Sequence, residues 1–132
     1  MQLHELEEEY ENRVYIKNAS TIFSEMRDIR HWCKEAFVAF YLDSQNRIIS
    51  REILGIGILN SCIVHPREVF RTAIIRNSNA VILAHNHPSG SLDPSDEDLD
   101  ITERLRKVGD IIGIKLLDHV IVSRVGYHSI LN

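Results

Sequence analysis

Short apolar runs alternate with amphipathic segments along this chain, and this alternation limits the possible folds more than any other sequence feature. Continuous apolar runs predict strands, whereas apolar residues at three- and four-residue steps predict helices. The patterns predict strands at 36–43, 47–54, 80–84 and 114–123, a short strand at 61–64, and helices at 20–33, 66–77 and 95–109. The first two strands flank the turn-like Ser44-Gln45-Asn46, so we expect an antiparallel hairpin. The order of elements predicts an α/β domain with a mixed sheet and flanking helices.

The length of the chain suits one domain with one core. Its 132 residues are 44% hydrophobic and 26% charged, a balance typical of a soluble domain that folds without disulfides or a structural metal. Cys33 and Cys62 form no C-x-x-C pair, and no apolar run reaches the roughly 20 residues that span a bilayer. The N-terminus is acidic and lacks a signal-peptide pattern. We therefore expect a cytoplasmic protein without membrane contact.

The charge balance argues against a chain that binds mainly nucleic-acid phosphates. Fifteen Lys and Arg against 19 Asp and Glu give a formal net charge of −4. A local basic patch remains open, because Arg67, Arg71 and Arg76 recur on one predicted helix, although a solvated helix face explains them as well. Residues 1–12 hold five Glu and predict an acidic tail, which leaves 13–132 as the domain.

Two histidines directly follow the apolar run at 80–84. His85 and His87 are two residues apart, so in an extended chain both imidazoles point to the same side and can converge on one metal ion. An H-x-H pair alone is a weak signal. It gains weight from Asp98, which begins the stripe that the next helix is expected to bury, a stripe continued by Ile101, Leu105, Val108 and Ile112.

A buried carboxylate is costly unless a cation or several donors meet it. One alternative is a capping box, in which Ser95 caps the helix and Asp98 reaches back to the cap amide. The other is a metal site. Two histidines and one carboxylate leave a fourth position for water, which is typical of one catalytic zinc ion rather than a structural one.

The spacing from His85 to Asp98 resembles a known signature. His85, His87, Ser95 and Asp98 match the H-x-H-x7-S-x2-D pattern of the JAMM (MPN+) metallopeptidases. The segments VHPREVF (64–70), AVILAHNHPSG (80–90), PS-x-x-D around Ser95 and LLDHVIV (116–122) resemble the RadC family of bacterial JAMM-domain proteins. The resemblance implies a mixed-sheet domain of the JAMM/MPN (cytidine deaminase-like) type over 13–132, with zinc held by His85, His87 and Asp98.

The resemblance also implies the roles of two further residues. The family uses a glutamate at the start of the first core strand, and Glu35 stands at the matching position, with Glu52 and Glu68 as rivals. Glu35 would act as general base for the attacking water, and Ser95 would donate its hydroxyl to the oxyanion. The implied reaction is hydrolysis of a peptide or isopeptide bond in a peptide or protein substrate.

Two other functions remain open from the sequence. The family name is associated with DNA repair, so the domain could be a repair or mobile-element accessory that mainly binds a partner, although the helix-hairpin-helix segment of longer members has no counterpart before Glu35. It could also be a silent scaffold, but every ligand position is occupied. We expect His119, in a predicted strand, to be a satisfied core histidine or a support for a metal ligand rather than a fourth metal ligand. The sequence indicates neither the identity of the substrate nor the oligomeric state.

Overall fold

Five strands and three helices form the fold of the computed structural model, which describes residues 9–57 and 64–132. The strands are β1 (Glu35–Leu42), β2 (Ile48–Gly57), β3 (Ala80–Asn86), β4 (Lys115–Ser123) and β5 (Gly126–Ser129), and the helices are α1 (Ala19–Glu25), α2 (Pro66–Ile75) and α3 (Asp96–Ile112). The sheet has the order β2-β1-β3-β4-β5. Only β3 and β4 are parallel, and every other neighbouring pair is antiparallel. The predicted α/β class, mixed sheet and β1–β2 hairpin are confirmed.

The sheet is covered on both faces, because successive strand residues point to opposite sides. On one face, α1 and the turns that follow it bury Ile22, Met26 and Ile29 against the strands. On the other face, α2 and α3 pack on the side of the sheet that also carries the two site histidines. The apolar side chains of this second core are Phe37, Ala39, Tyr41, Val64, Val69, Phe70, Ala73, Val81, Leu83, Ile101, Leu105, Ile114 and Leu116.

The unit β3–α3–β4 positions the candidate site. Every residue of β3 is buried, and α3 turns Asp98, Ile101 and Leu105 inward as the stripe predicts. The stripe ends earlier than predicted, since Ile112 is 42% exposed. Helix α3 also runs three residues beyond the predicted end at Gly109, to a left-handed C-cap at Gly113 with φ of 88°.

The predicted helix at 20–33 is wrong in its second half. Helix α1 ends at Glu25, and hydrogen bonds from Ile29 N and Arg30 N to Met26 O continue the chain as turns. The carbonyl of Glu25 accepts a hydrogen bond from Arg51 of β2 at 3.0 Å, which satisfies a group at the end of the helix. The buried residues Ile22, Met26 and Ile29 still follow four- and three-residue steps, although the helix does not continue through them.

Two predicted strands extend further than expected, and one strand was not predicted. Strand β2 extends to Gly57 with a register shift opposite Phe37 and Val38, which places an irregularity beside Gly55. Strand β3 continues through Asn86, so His85 lies within the sheet rather than in the loop. Strand β5 was not predicted, because its four residues are half-exposed and carry no apolar run.

Some sequence predictions fall outside the described residues. Residues 1–8 of the predicted acidic tail and 61–63 of the predicted short strand are among them, and Val64 lies outside any strand. Of the tail, residues 9–11 are helical, and Arg13 and Arg47 lie over the ring of Tyr10. Within the described ranges no helix is long and apolar enough to cross a membrane. The domain boundary after residue 12 and the cytoplasmic location stay predictions.

Candidate metal centre

The two histidines meet at the carboxyl end of β3. His85 is the penultimate residue of the strand and is fully buried, and His87 is the first residue after it. Residues i and i+2 of an extended chain share one face, and the two Nε2 atoms lie 2.8 Å apart. Strand pairing holds His85 on both sides, opposite Phe37 of β1 and Ile121 of β4. A rigid sheet therefore fixes the position of the first histidine.

Asp98 closes the group from the first turn of α3. Asp98 is only 1% exposed. Its Oδ1 lies 3.2 Å from His85 Nε2, and its Oδ2 lies 3.3 Å from His87 Nε2. One potential ligand atom from each of the three residues lies within 4.8 Å of the others. The structure thus brings together the three side chains that the sequence predicts as metal ligands, and together they could hold a metal ion.

The capping box is present as well. The hydroxyl of Ser95 accepts a hydrogen bond from Asp98 N at 3.0 Å, and Asp98 Oδ2 accepts one from Ser95 N at 2.9 Å. This cap uses only one carboxylate oxygen. Asp98 Oδ1 is buried and has no hydrogen-bond partner among residues 9–57 and 64–132, because its contact with His85 Nε2 lacks hydrogen-bond geometry. Capping and metal binding are therefore compatible at Asp98.

The donors and acceptors around His87 fit a cation. The carbonyl of Ser91 can only accept, so His87 Nδ1–H donates to it at 3.0 Å and the neutral ring has a bare Nε2. The Asp98 carboxylate raises the pKa of His87, and burial opposes that shift. Burial would raise the pKa of Asp98, but contacts with His85, His87 and the Ser95 amide hold it well below its usual range. Either a proton on His87 or a metal ion satisfies these converging acceptors.

Glu35 and Ser95 line the same open cleft as His87 and Asp98. Glu35 is the first residue of β1, so strand pairing fixes its backbone at the end of the sheet that carries the histidines. The rival Glu52 instead accepts a hydrogen bond from Thr72 of α2 at 2.7 Å, and Glu68 is exposed in the first turn of α2. Neither rival lines the cleft.

Asn86 links the histidine pair to Glu35, and sequence reasoning missed it. Its side chain points to the opposite face from His85 and His87. There Oδ1 accepts from Ala36 N at 2.7 Å, and Nδ2 donates to the carbonyls of Lys34 at 2.9 Å and Trp32 at 3.4 Å. The signal was available, since the residue between two same-face histidines of a strand must face the other side. Asn86 thus holds the backbone on both sides of Glu35.

His119 also reaches the site. It is fully buried on β4, and its Nε2 lies 2.8 Å from His85 Nδ1. Burial lowers the pKa of His119 well below its usual value. The structure favours the prediction of a supporting histidine, because His119 contacts the ring of His85 on the nitrogen that faces away from Asp98.

The chain is similar to one protein family and to several curated proteins. The family model of the RadC-like JAB domain matches residues 16–132. A UPF0758 protein of Finegoldia magna is 58% identical over 89 residues, which cover 67% of this chain and 40% of that protein. A UPF0758 protein of Geobacillus thermodenitrificans is 55% identical over 98 residues, 74% of this chain and 43% of that protein. One from Methanosarcina acetivorans is 47% identical over 102 residues, 77% and 44% of the two chains.

The match to the family model covers almost all of the described fold, including every residue of the histidine and aspartate cluster. The chain spans less than half the length of these curated relatives. This chain belongs to the RadC-like JAB domain family.

Proposed function

We propose that this domain is a zinc-dependent metallopeptidase that hydrolyses a peptide or isopeptide bond. One observation carries the proposal: the buried carboxylate of Asp98 meets the Nε2 atoms of two histidines, through Oδ1 at His85 and Oδ2 at His87, in a group that borders an open cleft. Imidazole and carboxylate ligands in a compact site favour zinc among the common biological metals. Three protein ligands rather than four are typical of a catalytic site.

The proposed roles of the protein residues follow from their positions. A bound zinc ion supplies a Lewis acid that polarises the scissile carbonyl and lowers the pKa of water. His85, His87 and Asp98 hold that ion. Glu35, at the rim of the same cleft, takes the proton of the attacking water and delivers it to the nitrogen of the leaving amine.

Ser95 is suited to stabilise the oxyanion. Its oxygen already accepts a hydrogen bond from Asp98 N, so its own proton is free to donate into the cleft. Because the capping box fixes the backbone of Ser95, this donor keeps its place through the reaction. The role of Ser95 is compatible with its capping role, since the two use different parts of the hydroxyl group.

The substitution Glu35→Gln tests the proposal. A neutral amide of the same shape cannot take the water proton, so we expect full zinc content and a hydrolysis rate lower by at least about 100-fold. The assay uses the zinc-loaded protein and a mixed library of quenched fluorogenic peptides and lysine-linked isopeptides. Glu52→Gln and Glu68→Gln are the matched controls and should keep the wild-type rate. A Glu35→Gln protein as active as wild type would remove Glu35 from the mechanism.

A further inference from the structure

A chain of buried hydrogen bonds connects α3 with β4 and ends on His85. The hydroxyl of Thr102 lies 2.6 Å from the carbonyl oxygen of Asp98 and 2.5 Å from His119 Nδ1. His119 Nε2 then lies 2.8 Å from His85 Nδ1. Thr102, His119 and His85 are all buried, so their polar groups depend on one another rather than on solvent.

The chemistry of each group fixes the direction of this chain. A carbonyl oxygen only accepts, so Thr102 donates its single proton to Asp98 O. Toward His119 the hydroxyl must then accept, which places a proton on His119 Nδ1. Within 9–57 and 64–132 no carboxylate forms an ion pair with His119, and a buried imidazole without such a partner is neutral. Its Nε2 therefore carries a lone pair.

The last link of the chain sets the tautomer of His85. Since His119 Nε2 accepts, His85 Nδ1–H donates to it, and a His85 ring that carries one proton is left with a bare Nε2. That nitrogen is the one that faces His87 and Asp98. If the chain ran the other way, the proton of His85 would sit on Nε2, where it would block a metal ion.

Aromatic packing from β1 keeps the two rings in place. Phe37 stacks on His85 with ring centroids 5.9 Å apart and an interplanar angle of 12°. It also meets His119 edge-on, with centroids 5.4 Å apart at 67°. Because Phe37 is itself buried, neither imidazole can swing away without disturbing the core.

We infer that Thr102 and His119 are positioning residues that keep the proton of His85 on Nδ1 and leave its Nε2 free to bind the metal ion. The inference rests on the proposed metal centre and adds two residues to it. Asp98 then has two roles. Its carboxylate faces the metal position, and its backbone carbonyl accepts the first hydrogen bond of the series that orients His85. The helix turn from Asp98 to Thr102 couples the two functions.

The experiment compares Thr102→Val with wild type. Valine has the shape of threonine but no acceptor for His119 Nδ1–H, so His119 can move its proton to Nε2 and donate to His85. Long-range ¹H–¹⁵N correlation spectra of the metal-free protein at neutral pH read the tautomer of each ring. We expect a bare Nε2 on His85 in wild type and a mixture of tautomers in Thr102→Val. Affinity for Co²⁺, measured by titration of its visible absorption, should fall about tenfold.

Two further variants make the test specific. Thr102→Ser keeps the hydroxyl and should restore both the His85 tautomer and the Co²⁺ affinity. Thr72→Val makes the same change on α2, where the hydroxyl donates to Glu52, and should alter neither readout. The tautomer is read without metal or substrate, so this result is independent of whether the domain hydrolyses any peptide.

Two outcomes would overturn the inference. One is a wild-type spectrum that places the His85 proton on Nε2, and this readout stands even if Thr102→Val fails to fold. The other is a folded Thr102→Val protein that retains both the wild-type tautomer and the wild-type Co²⁺ affinity.

Discussion

The carboxylate of Asp98 serves both the cap of α3 and the group of histidines, and its two oxygens differ in their partners. Oδ2 accepts a hydrogen bond from Ser95 N and completes the cap of α3. Oδ1 is buried beside His85 Nε2 and has no hydrogen-bond partner in the described part of the chain. A native protein keeps such an oxygen unpaired only where something else compensates, and a metal ion at this position would do so. The single residue thus links the folding of the helix to the proposed metal centre.

The buried phenol of Tyr41 should make the free energy of unfolding of the domain depend on pH in the alkaline range. Its ring is fully buried and its hydroxyl donates to Val69 O at 2.9 Å. Burial, with a smaller effect from the charge of Glu52, raises the pKa of Tyr41 to about 12. The same phenol has a pKa of about 10 in the unfolded chain. The stabilisation that neutral, buried Tyr41 contributes is therefore complete below pH 10 and is lost as pH rises toward 12.

The measurement is denaturant unfolding of wild type and Tyr41→Phe from pH 8 to pH 12. Above pH 10 the stability of wild type relative to Tyr41→Phe should fall by up to about 1.4 kcal/mol per pH unit. Tyr127→Phe, which removes an exposed phenol, is the matched control and should parallel wild type. A constant stability difference between wild type and Tyr41→Phe over this range would contradict the assignment.

At the scale of elements, the type and order of β3 and α3 could be predicted from the sequence, whereas the residues at which they end could not. The apolar run at 80–84 and the stripe that begins at Asp98 each follow one clear periodicity, so the convergence of His85, His87 and Asp98 could be predicted from their spacing, while the choice between a cap and a metal site at Asp98 stayed open. The exposed strand β5 and the early end of α1 have no such signal, because hydrogen bonds between distant segments decide them. The partners of Asn86 and His119 likewise lie far away in sequence and depend on the strand register.

The position of Asn86 in β3 leads us to expect that Asn86→Ala lowers both stability and kcat. This change leaves Ala36 N–H and Lys34 C=O without their buried partner, which should lower the free energy of unfolding by about 1–3 kcal/mol. His85 and His87 keep their strand positions, so zinc content should stay at the wild-type value. Because the backbone beside Glu35 loosens, we expect kcat to fall at least about tenfold with little change in KM.

Activity assays, zinc analysis and unfolding curves on the same preparations test this effect. Asn79→Ala removes an exposed amide just before β3 and is the matched control, with no expected effect on kcat. A loss of kcat that merely follows a loss of zinc would contradict the role of Asn86 in holding Glu35.

At the scale of the whole molecule, the core does not depend on the proposed metal. Apolar side chains cover both faces of the sheet, and the group of His85, His87 and Asp98 lies at one end of it. Removal of the metal should therefore abolish hydrolysis but leave a folded domain. The formal net charge of −4 still predicts weak binding to nucleic-acid phosphates, so we expect the cleft, rather than the overall charge, to select the partner.

The zinc content of wild type and Asp98→Asn shows whether Asp98 is a metal ligand or only the cap of α3. Asparagine keeps an acceptor for the Ser95 amide, so the cap survives while the charged ligand is lost. The proteins are dialysed against buffered zinc and measured by mass spectrometry, with Asp100→Asn, an exposed neighbour on α3, as control. We expect about one zinc ion per chain in wild type and in Asp100→Asn, and less than about a tenth of that content in Asp98→Asn. A wild-type protein without zinc, or an Asp98→Asn protein with as much zinc as wild type, would contradict the proposed metal centre.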